Sequence, residues 1–394
     1  MDFLDVDLST ITLEKDGGIS RKEPREERHK QYNYNELFDH YTLFSDMFFC
    51  NSKNKFFCNS KIELLGPPLL NLKKHLESSE IYLDDVRVSK RNISINEMDR
   101  ISRTIIKTKK MPKNLKIKIN NQEFIKKIQP NHTAFFKNKN VLVTQQRNNR
   151  IEWILYWIVY HVYHHKVNAV LIYDNDSNLY TAQQLQNAIS LVHGIERACV
   201  IDWKIPFGVT GGPKKIWDSD FGQYQFLDNA LNRFLRESNC AIIGDIDELP
   251  LHRLGTPIPQ LLKNSKSPIL SYPRLDIVNT CEPQIALKHS DTFQYNYEAP
   301  LINTKYSISP KYIPVKAQLL VHSVRGVKYK DNHDIISRHF NSLRLNWQNS
   351  DFTPLPAKYN ENLKLTKDYS LIQSFNEVDK QFDKIINLYY KQKK

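Results

Sequence analysis

The chain has 394 residues, a formal charge of +13 and 40% hydrophobic residues, enough for a packed core and too many for a disordered chain. Its 11 glycines form no G-x-G-x-x-G or Walker loop, which excludes a glycine-rich phosphate cradle and any collagen-like repeat. The basic excess points to anionic partners and is uneven: residues 1–100 carry −3, residues 101–150 carry +12 and residues 151–394 carry +4.

Residues 1–30 are charged (RKEPREERHK) and read as a peripheral arm, with no apolar stretch of the kind a signal peptide has. Residues 31–99 mix aromatics with a short apolar stretch and read as a small helical cap. Residues 100–139 are lysine-rich. Together they make an N-terminal accessory region, 1–139, basic towards its end. From residue 141 strand and helix alternate. A strand at 141–144 precedes an amphipathic helix on Ile151, Ile154, Leu155, Ile158, Val159 and Val162. A buried-type strand follows at 169–173, then a helix over 180–192, a strand at 198–201, a helix over about 220–237 and a strand at 240–243. This is the texture of βαβ units with a mainly parallel sheet, whose ligand site lies at the carboxyl ends of the strands. At the end, Leu371, Phe375, Val378, Phe382, Ile385 and Tyr389 form a heptad-like stripe. Its default partner is its own domain; a second chain, giving a homodimer, or an anionic membrane surface are the others it would fit.

Five cysteines, Cys50, Cys58, Cys199, Cys240 and Cys281, form no C-x-x-C and suit a reducing compartment. The longest uncharged aromatic run, 153–163, is far short of the ~20 residues of a membrane span. The expectation is a cytoplasmic protein, at most peripheral at the inner face of a membrane.

Two clusters can carry chemistry. Apolar strand 240–243 delivers Asp245, Asp247 and Glu248 to its carboxyl end. Continued extension would put Asp245 and Asp247 on one side of the backbone, where hard oxygen ligands suit Mg²⁺ or Mn²⁺ bridging a diphosphate. The bland alternative is a solvated acidic turn. The ends of the first two strands carry Gln146-Arg147-Asn148-Asn149 and Tyr173-Asp174-Asn175-Asp176-Ser177. A carboxylate there can accept from a base or ribose, and an arginine can meet a phosphate; ordinary helix capping is the alternative. His161, His164 and His165, at i, i+3 and i+4, lack a cysteine or carboxylate partner on their helix and read as packing.

Arg147-Asn-Asn-Arg-Ile-Glu152-Trp153-Ile-Leu-Tyr-Trp-Ile-Val-Tyr160-His161, followed by Tyr173-Asp174-Asn175-Asp-Ser177, resembles the opening of the DUF23-type glycosyltransferases, family 92 and its bacterial family 2-like relatives. The resemblance continues through Gln225, Asn232 and Asp245-Ile-Asp247-Glu248, and more loosely to His322 and His339-Phe340. The chain departs at Asn149, at His165-Lys166-Val167-Asn168, where a helix-end glycine is usual, and at Phe340. The resemblance implies a GT-A fold, α/β and Rossmann-like with a mainly parallel sheet flanked by helices, over residues 140–345, and a C-terminal extension with an amphipathic helix over 346–394.

It further implies metal-dependent transfer of a sugar from a nucleotide-diphosphate donor, a UDP-sugar, with inversion, to a glycan or lipid-linked acceptor in surface polysaccharide synthesis of the capsule or lipopolysaccharide kind. Donor binding falls to Arg147, Asn148, Asp174, Asn175, Gln225 and Asp245. The metal, Mn²⁺ or Mg²⁺, falls to Asp245 and Asp247 with a late histidine, His322, and His339 behind it. An inverting transfer needs a base. Asp276, Glu282, Asp291 and Glu298 are the acidic residues in range, and Asp276 and Glu298 rank equal first. The lysine-rich segment reads as a solvated face or as a dock for an anionic acceptor. With no interleaved aromatics, nucleic acid is not the expected partner. The rival class is a non-enzymatic basic α/β module that binds nucleic acid or anionic membrane.

Overall fold

A computed structural model describes residues 1–51, 60–211, 216–281, 286–343 and 362–392. Cys58 and Glu282 lie outside the described residues. The chain forms two compact units: residues 1–5, 134–203 and 235–394 make the first, and residues 6–133 and 204–234 the second.

In the first unit, β1 (Asp2–Phe3), β2 (Asn140–Gln146), α1 (Ile151–His165), β3 (Ala169–Asp174), α2 (Ala182–Ile189), β4 (Arg197–Asp202) and β5 (Cys240–Ile243) form a parallel half in the order β1-β4-β3-β2-β5. The strands are buried on nearly every residue, as a sheet covered by helices requires. The sheet continues through β6 (Glu248–His252), β7 (Ile269–Ile277), β8 (Ile302–Ile308) and β11 (Ile335–Phe340), giving the full order β1-β4-β3-β2-β5-β8-β7-β11-β6. Pairings β5–β8, β8–β7 and β11–β6 are antiparallel, and β7–β11 is parallel. Between these run α3 (Ile258–Asn264) and a tight hairpin of β9 (Gln318–Leu319) and β10 (Val324–Arg325). The result is a mixed α/β sheet, mostly parallel and Rossmann-like in its first half.

Trp153, Trp157 and Tyr160 of α1 are fully buried. The helix lies between the sheet and α4 (Tyr369–Gln392), whose stripe Leu371, Phe375, Val378, Phe382, Ile385 and Tyr389 is buried in the same core. Burying each such side chain contributes about 1.5–3 kcal/mol, so the stripe is spent on intramolecular packing. The three histidines of α1 serve packing too. His161 lies 2.8 Å from Trp157 O, His164 2.9 Å from Ser374 O and His165 2.8 Å from Pro250 O. Burial lowers the pKa of all three, so they are neutral donors to backbone carbonyls.

The second unit corrects the expectation of a helical cap. Residues 31–99 hold a four-residue helix at Tyr34–Leu37 and a seven-residue helix at Leu72–Ser78, and are otherwise strand-rich. Strands Gln129–Pro130, Asp46–Cys50, Lys61–Gly66, Ser102–Lys107 and Ile93–Glu97 form one sheet; Gln122–Lys127, Asn114–Ile119, Glu80–Leu83 and Val86–Arg87 form another. In the lysine-rich segment Leu115, Ile117 and Ile119 point inward while Lys116 and Lys118 point out, a period of two. Helix Phe221–Asn229 belongs to this unit, as does the π-helical turn that follows it as far as Phe234. Its Asp228 pairs with Arg103, and Arg233 lies 2.7 Å from Asp46, all four side chains buried.

Candidate active site

Parallel strands bring their carboxyl ends to one edge, and the antiparallel partners return to that same edge. Register places Gln146 beside Asp174, Asp174 beside Asp202, Ile243 beside Tyr306, Tyr272 beside Lys305, and His339 between Asp276 and Glu248. Between β2 and β5 the order of connections reverses, the kind of position at whose carboxyl ends open α/β sheets take their ligands. The acidic residues sit there.

Asp245 to Glu248 form a turn rather than an extended strand, with Glu248 N donating to Asp245 O at 3.1 Å. Strand alternation is therefore not what positions the two aspartates. The turn is fixed instead by Gly244 N to Val143 O at 3.2 Å, Phe340 N to Asp247 O at 2.8 Å, and His289, whose Nε2 lies 2.7 Å from Ile246 O.

Two internal cations bind these carboxylates. Lys305 Nζ lies 2.6 Å from Asp245 Oδ2 and 3.1 Å from Glu248 Oε2. His339 Nε2 lies 3.3 Å from Asp247 Oδ2, and its Nδ1 lies 3.0 Å from Asp276 Oδ1. Arg274 Nε adds a contact of 3.3 Å to Asp276. Carboxylates only accept, so both His339 nitrogens carry protons and neither has a lone pair for a metal. Burial disfavours the imidazolium, but Asp247 and Asp276 outweigh it and raise the pKa to about 10. Burial likewise opposes the Lys305 charge, and Asp245 and Glu248 overcome it, so its pKa is raised. The Asp247 carboxyl, pushed up by burial, is drawn below its ordinary value by His339. Glu248, 1% exposed, is pushed up by burial against the pull of Lys305. Glu248 Oε1 is buried and has no hydrogen-bond partner among the described residues. Four carboxylates thus face three cations, and the cluster is one negative charge in excess.

His322 sits at the tip of the β9–β10 hairpin and is tied to β8. Thr304 Oγ1 donates to His322 O at 2.7 Å, and His322 Nδ1 lies 3.0 Å from Thr304 O. The carbonyl makes Nδ1 the protonated nitrogen and leaves Nε2 with a lone pair. Burial, then the Lys305 charge, lower its pKa, so the ring is neutral.

At the ends of β2 and β3 the predicted donor-binding residues knit the edge together. Asp174, 4% exposed, accepts from Gln146 Nε2 at 2.6 Å and from Ser177 Oγ. Asn148 N donates to Ser177 Oγ at 2.8 Å, and Asn175 Nδ2 donates to Trp203 O at 2.8 Å. Burial raises the Asp174 carboxyl to about 6, against the pull of the Ser177 hydrogen bond. Arg147 directly follows β2.

The other sequence-derived residues lie elsewhere. Glu298 is exposed and pairs with Lys364 at 2.6 Å. Gln225 lies in the second unit, fully buried, and neither amide atom has a hydrogen-bond partner among the described residues. Lys305 and Arg274 are functional candidates that the sequence reading missed. The available signal was a lone lysine inside the strand Ile302–Ile308.

Among the described residues no three His, Cys, Asp or Glu side chains converge as a ready metal site, and no helix is long and apolar enough to cross a membrane. Surface hollows of about 630 Å³, beside Lys266 and His333, and about 370 Å³, beside Arg150 and Tyr389, do not touch the carboxylate cluster.

No family model matches the chain, and no curated protein matches it. Among solved structures it is similar to a WbbM bifunctional glycosyltransferase in its apo form, at 14% identity and a TM-score of 0.27, over 41% of this chain and 27% of that one. The chain therefore spans about a quarter of that protein, and a likeness at this score assigns neither fold nor activity.

Proposed function

We propose that the first unit transfers a glycosyl group from a nucleoside-diphosphate sugar, by resemblance a UDP-sugar, to a glycan or lipid-linked acceptor. The observation that carries this reading is the acidic turn at the point where the sheet reverses its connections, with Asp174 two strands away on the same edge. The carboxyl ends at such a reversal are where an open α/β sheet takes its ligands. The Arg147–His161 and Tyr173–Ser177 motifs add a sequence resemblance to sugar transferases.

The charge balance bears on the cation. A cluster with one negative charge in excess repels a diphosphate unless another positive charge accompanies it. The donor set fits a divalent ion in a limited way. Asp245 is half exposed, and His322 offers Nε2. Asp247 is engaged by His339 and Glu248 is buried against Lys305, whereas Asp245 meets Lys305 through Oδ2 and has Oδ1 open among the described residues. Asp245 and His322 would therefore hold the cation, with donor oxygens and water completing its shell, as Mg²⁺ and Mn²⁺ permit. When bound it would neutralise the diphosphate leaving group. Asp276, beside His339 on the same edge as the turn, is the base in this reading, whereas Glu298 follows the separate strand Gln294–Asn296, outside that edge. Asp174 would accept from the base or ribose of the donor.

The test is thermal stability of the full chain with a panel of nucleotide-sugars, with and without Mn²⁺, because a ligand that binds the native state raises its apparent stability. A UDP-sugar should raise the melting temperature more with Mn²⁺ than without, and Asp245→Asn should abolish that increment. No shift with any nucleotide-sugar, in either condition, would overturn the proposal.

A further inference from the structure

Of the +12 carried by residues 101–150, +8 falls on residues 101–133 of the second unit, where it forms a surface feature. Lys107 ends the strand Ser102–Lys107, Lys109, Lys110 and Lys113 lie on the connection to Asn114–Ile119, and Lys126 and Lys127 end the strand Gln122–Lys127. Asn114 pairs with Lys127 and Ile128 N donates to Lys113 O, so the connection ends beside Lys126 and Lys127. The hairpin's open end and the loop entering it thus carry six lysines together. All six are exposed, and among the described residues none makes an ion pair. Lysines on the sheet face behave differently: Lys116 pairs with Asp85, and Lys118 with Glu123 at 3.1 Å. Asp84 lies at this end too, where it accepts the backbone N–H groups of Lys113 and Asn114. Six lysines against Asp84 leave this end strongly positive, while the charge on the face beside it is compensated.

We infer that this end of the second unit docks on an anionic lipid bilayer. A plane of headgroup phosphates matches a cluster of compact ammonium charges on flexible stems, and such a cluster near a surface gains binding with each added lysine. The apolar side chains exposed among the lysines are Met111, 42% exposed, and Ile125, 59% exposed. Both are aliphatic and suit the boundary between headgroups and acyl chains. A nucleic-acid surface would interleave aromatic side chains for stacking and arginines for bidentate phosphate contacts, and residues 107–127 carry no arginine and one aromatic, the half-buried Phe124. The inference does not rest on the proposed transferase activity.

The experiment is co-sedimentation of the full chain with vesicles of phosphatidylcholine alone and of phosphatidylcholine mixed with phosphatidylglycerol, at low and high salt. Binding should require phosphatidylglycerol and fall steeply with salt. Replacing all six lysines by Gln, exposed positions whose change leaves the core intact, should reduce the partition coefficient roughly tenfold or more. Lys116→Gln with Lys118→Gln should change it far less. Equal binding to both vesicle types, or full binding by the six-lysine variant, overturns the inference. So does tighter binding to single-stranded RNA than to the anionic vesicles at the same salt.

Discussion

Lys305 Nζ stands 2.6 Å from Asp245 Oδ2 and bridges to Glu248 Oε2, although Lys305 and Asp245 are 60 residues apart in sequence. Lys305 is 5% exposed and Glu248 is 1% exposed. A buried pair of this kind adds little over an apolar pair, but removing one partner leaves a charge stranded in low dielectric. Lys305→Met should therefore destabilise the fold by about 3–5 kcal/mol. The double variant Lys305→Met/Glu248→Gln should recover most of that loss, because no buried charge is then left alone. Urea denaturation of the two single variants and the double variant reads this directly. A Lys305→Met protein as stable as the parent would show that the bridge is not formed.

His339 makes the pH dependence specific. Its pKa rises from 6.5 to about 10 in the folded protein. The charged form is favoured by folding, so its contribution is complete below pH 6.5 and is lost as pH climbs to about 10. Stability should fall by on the order of 3 kcal/mol across that window. His339→Gln should be less stable at pH 6.5 and show a flatter profile, in guanidinium melts between pH 6.5 and 9.5. A parent profile without slope in this window would sink the bridging assignment.

How far the sequence announced this site depends on the range of the interactions. The succession β2, α1, β3, α2, β4, β5 was legible because each element carries its own period and the apolar runs end at turn residues. The stripe from Leu371 to Tyr389 was legible for the same reason. Strands of residues 31–99 were not, because partly buried positions interrupt the alternation: Ile93–Glu97 shows no buried residue at all. The carboxylates at the ends of β3 and β5 could be read from the chain, but their partners could not. Lys305 and His339 reach Asp245 and Asp276 across 60 and 63 residues, on strands whose neighbours only the sheet order defines. Asp228 likewise meets Arg103 across 125 residues, which no local pattern reveals.

Asp174 sets stability against proposed function. Its carboxyl is raised from 3.8 to about 6, mainly by burial. A raised carboxyl favours folding in its neutral form. Its contribution is present below pH 3.8 and lost as pH passes about 6, so at neutral pH the buried charge is unfavourable by about 2–3 kcal/mol. Asp174→Asn keeps an acceptor for Gln146 Nε2 and Ser177 Oγ. It should stabilise the protein at pH 7.5, give no gain near pH 4, and weaken any nucleotide-sugar-induced thermal shift. Destabilisation at pH 7.5 would mean that the charge itself is needed at the edge.

Lys166 ends α1 with φ 54° and ψ 37°, a left-handed conformation that a β-carbon disfavours. The side chain recovers a little, since Nζ donates to Tyr163 O at 2.8 Å on the exposed surface. Relief of the backbone exceeds that exposed bond, so Lys166→Gly should stabilise the fold by about 0.5–1 kcal/mol. Lys166→Ala retains the β-carbon and loses the hydrogen bond, and should give no gain. Calorimetry on the two variants separates the explanations: a rise with alanine equal to that with glycine would assign the effect to removal of the lysine charge, whereas a rise with glycine alone assigns it to the left-handed backbone.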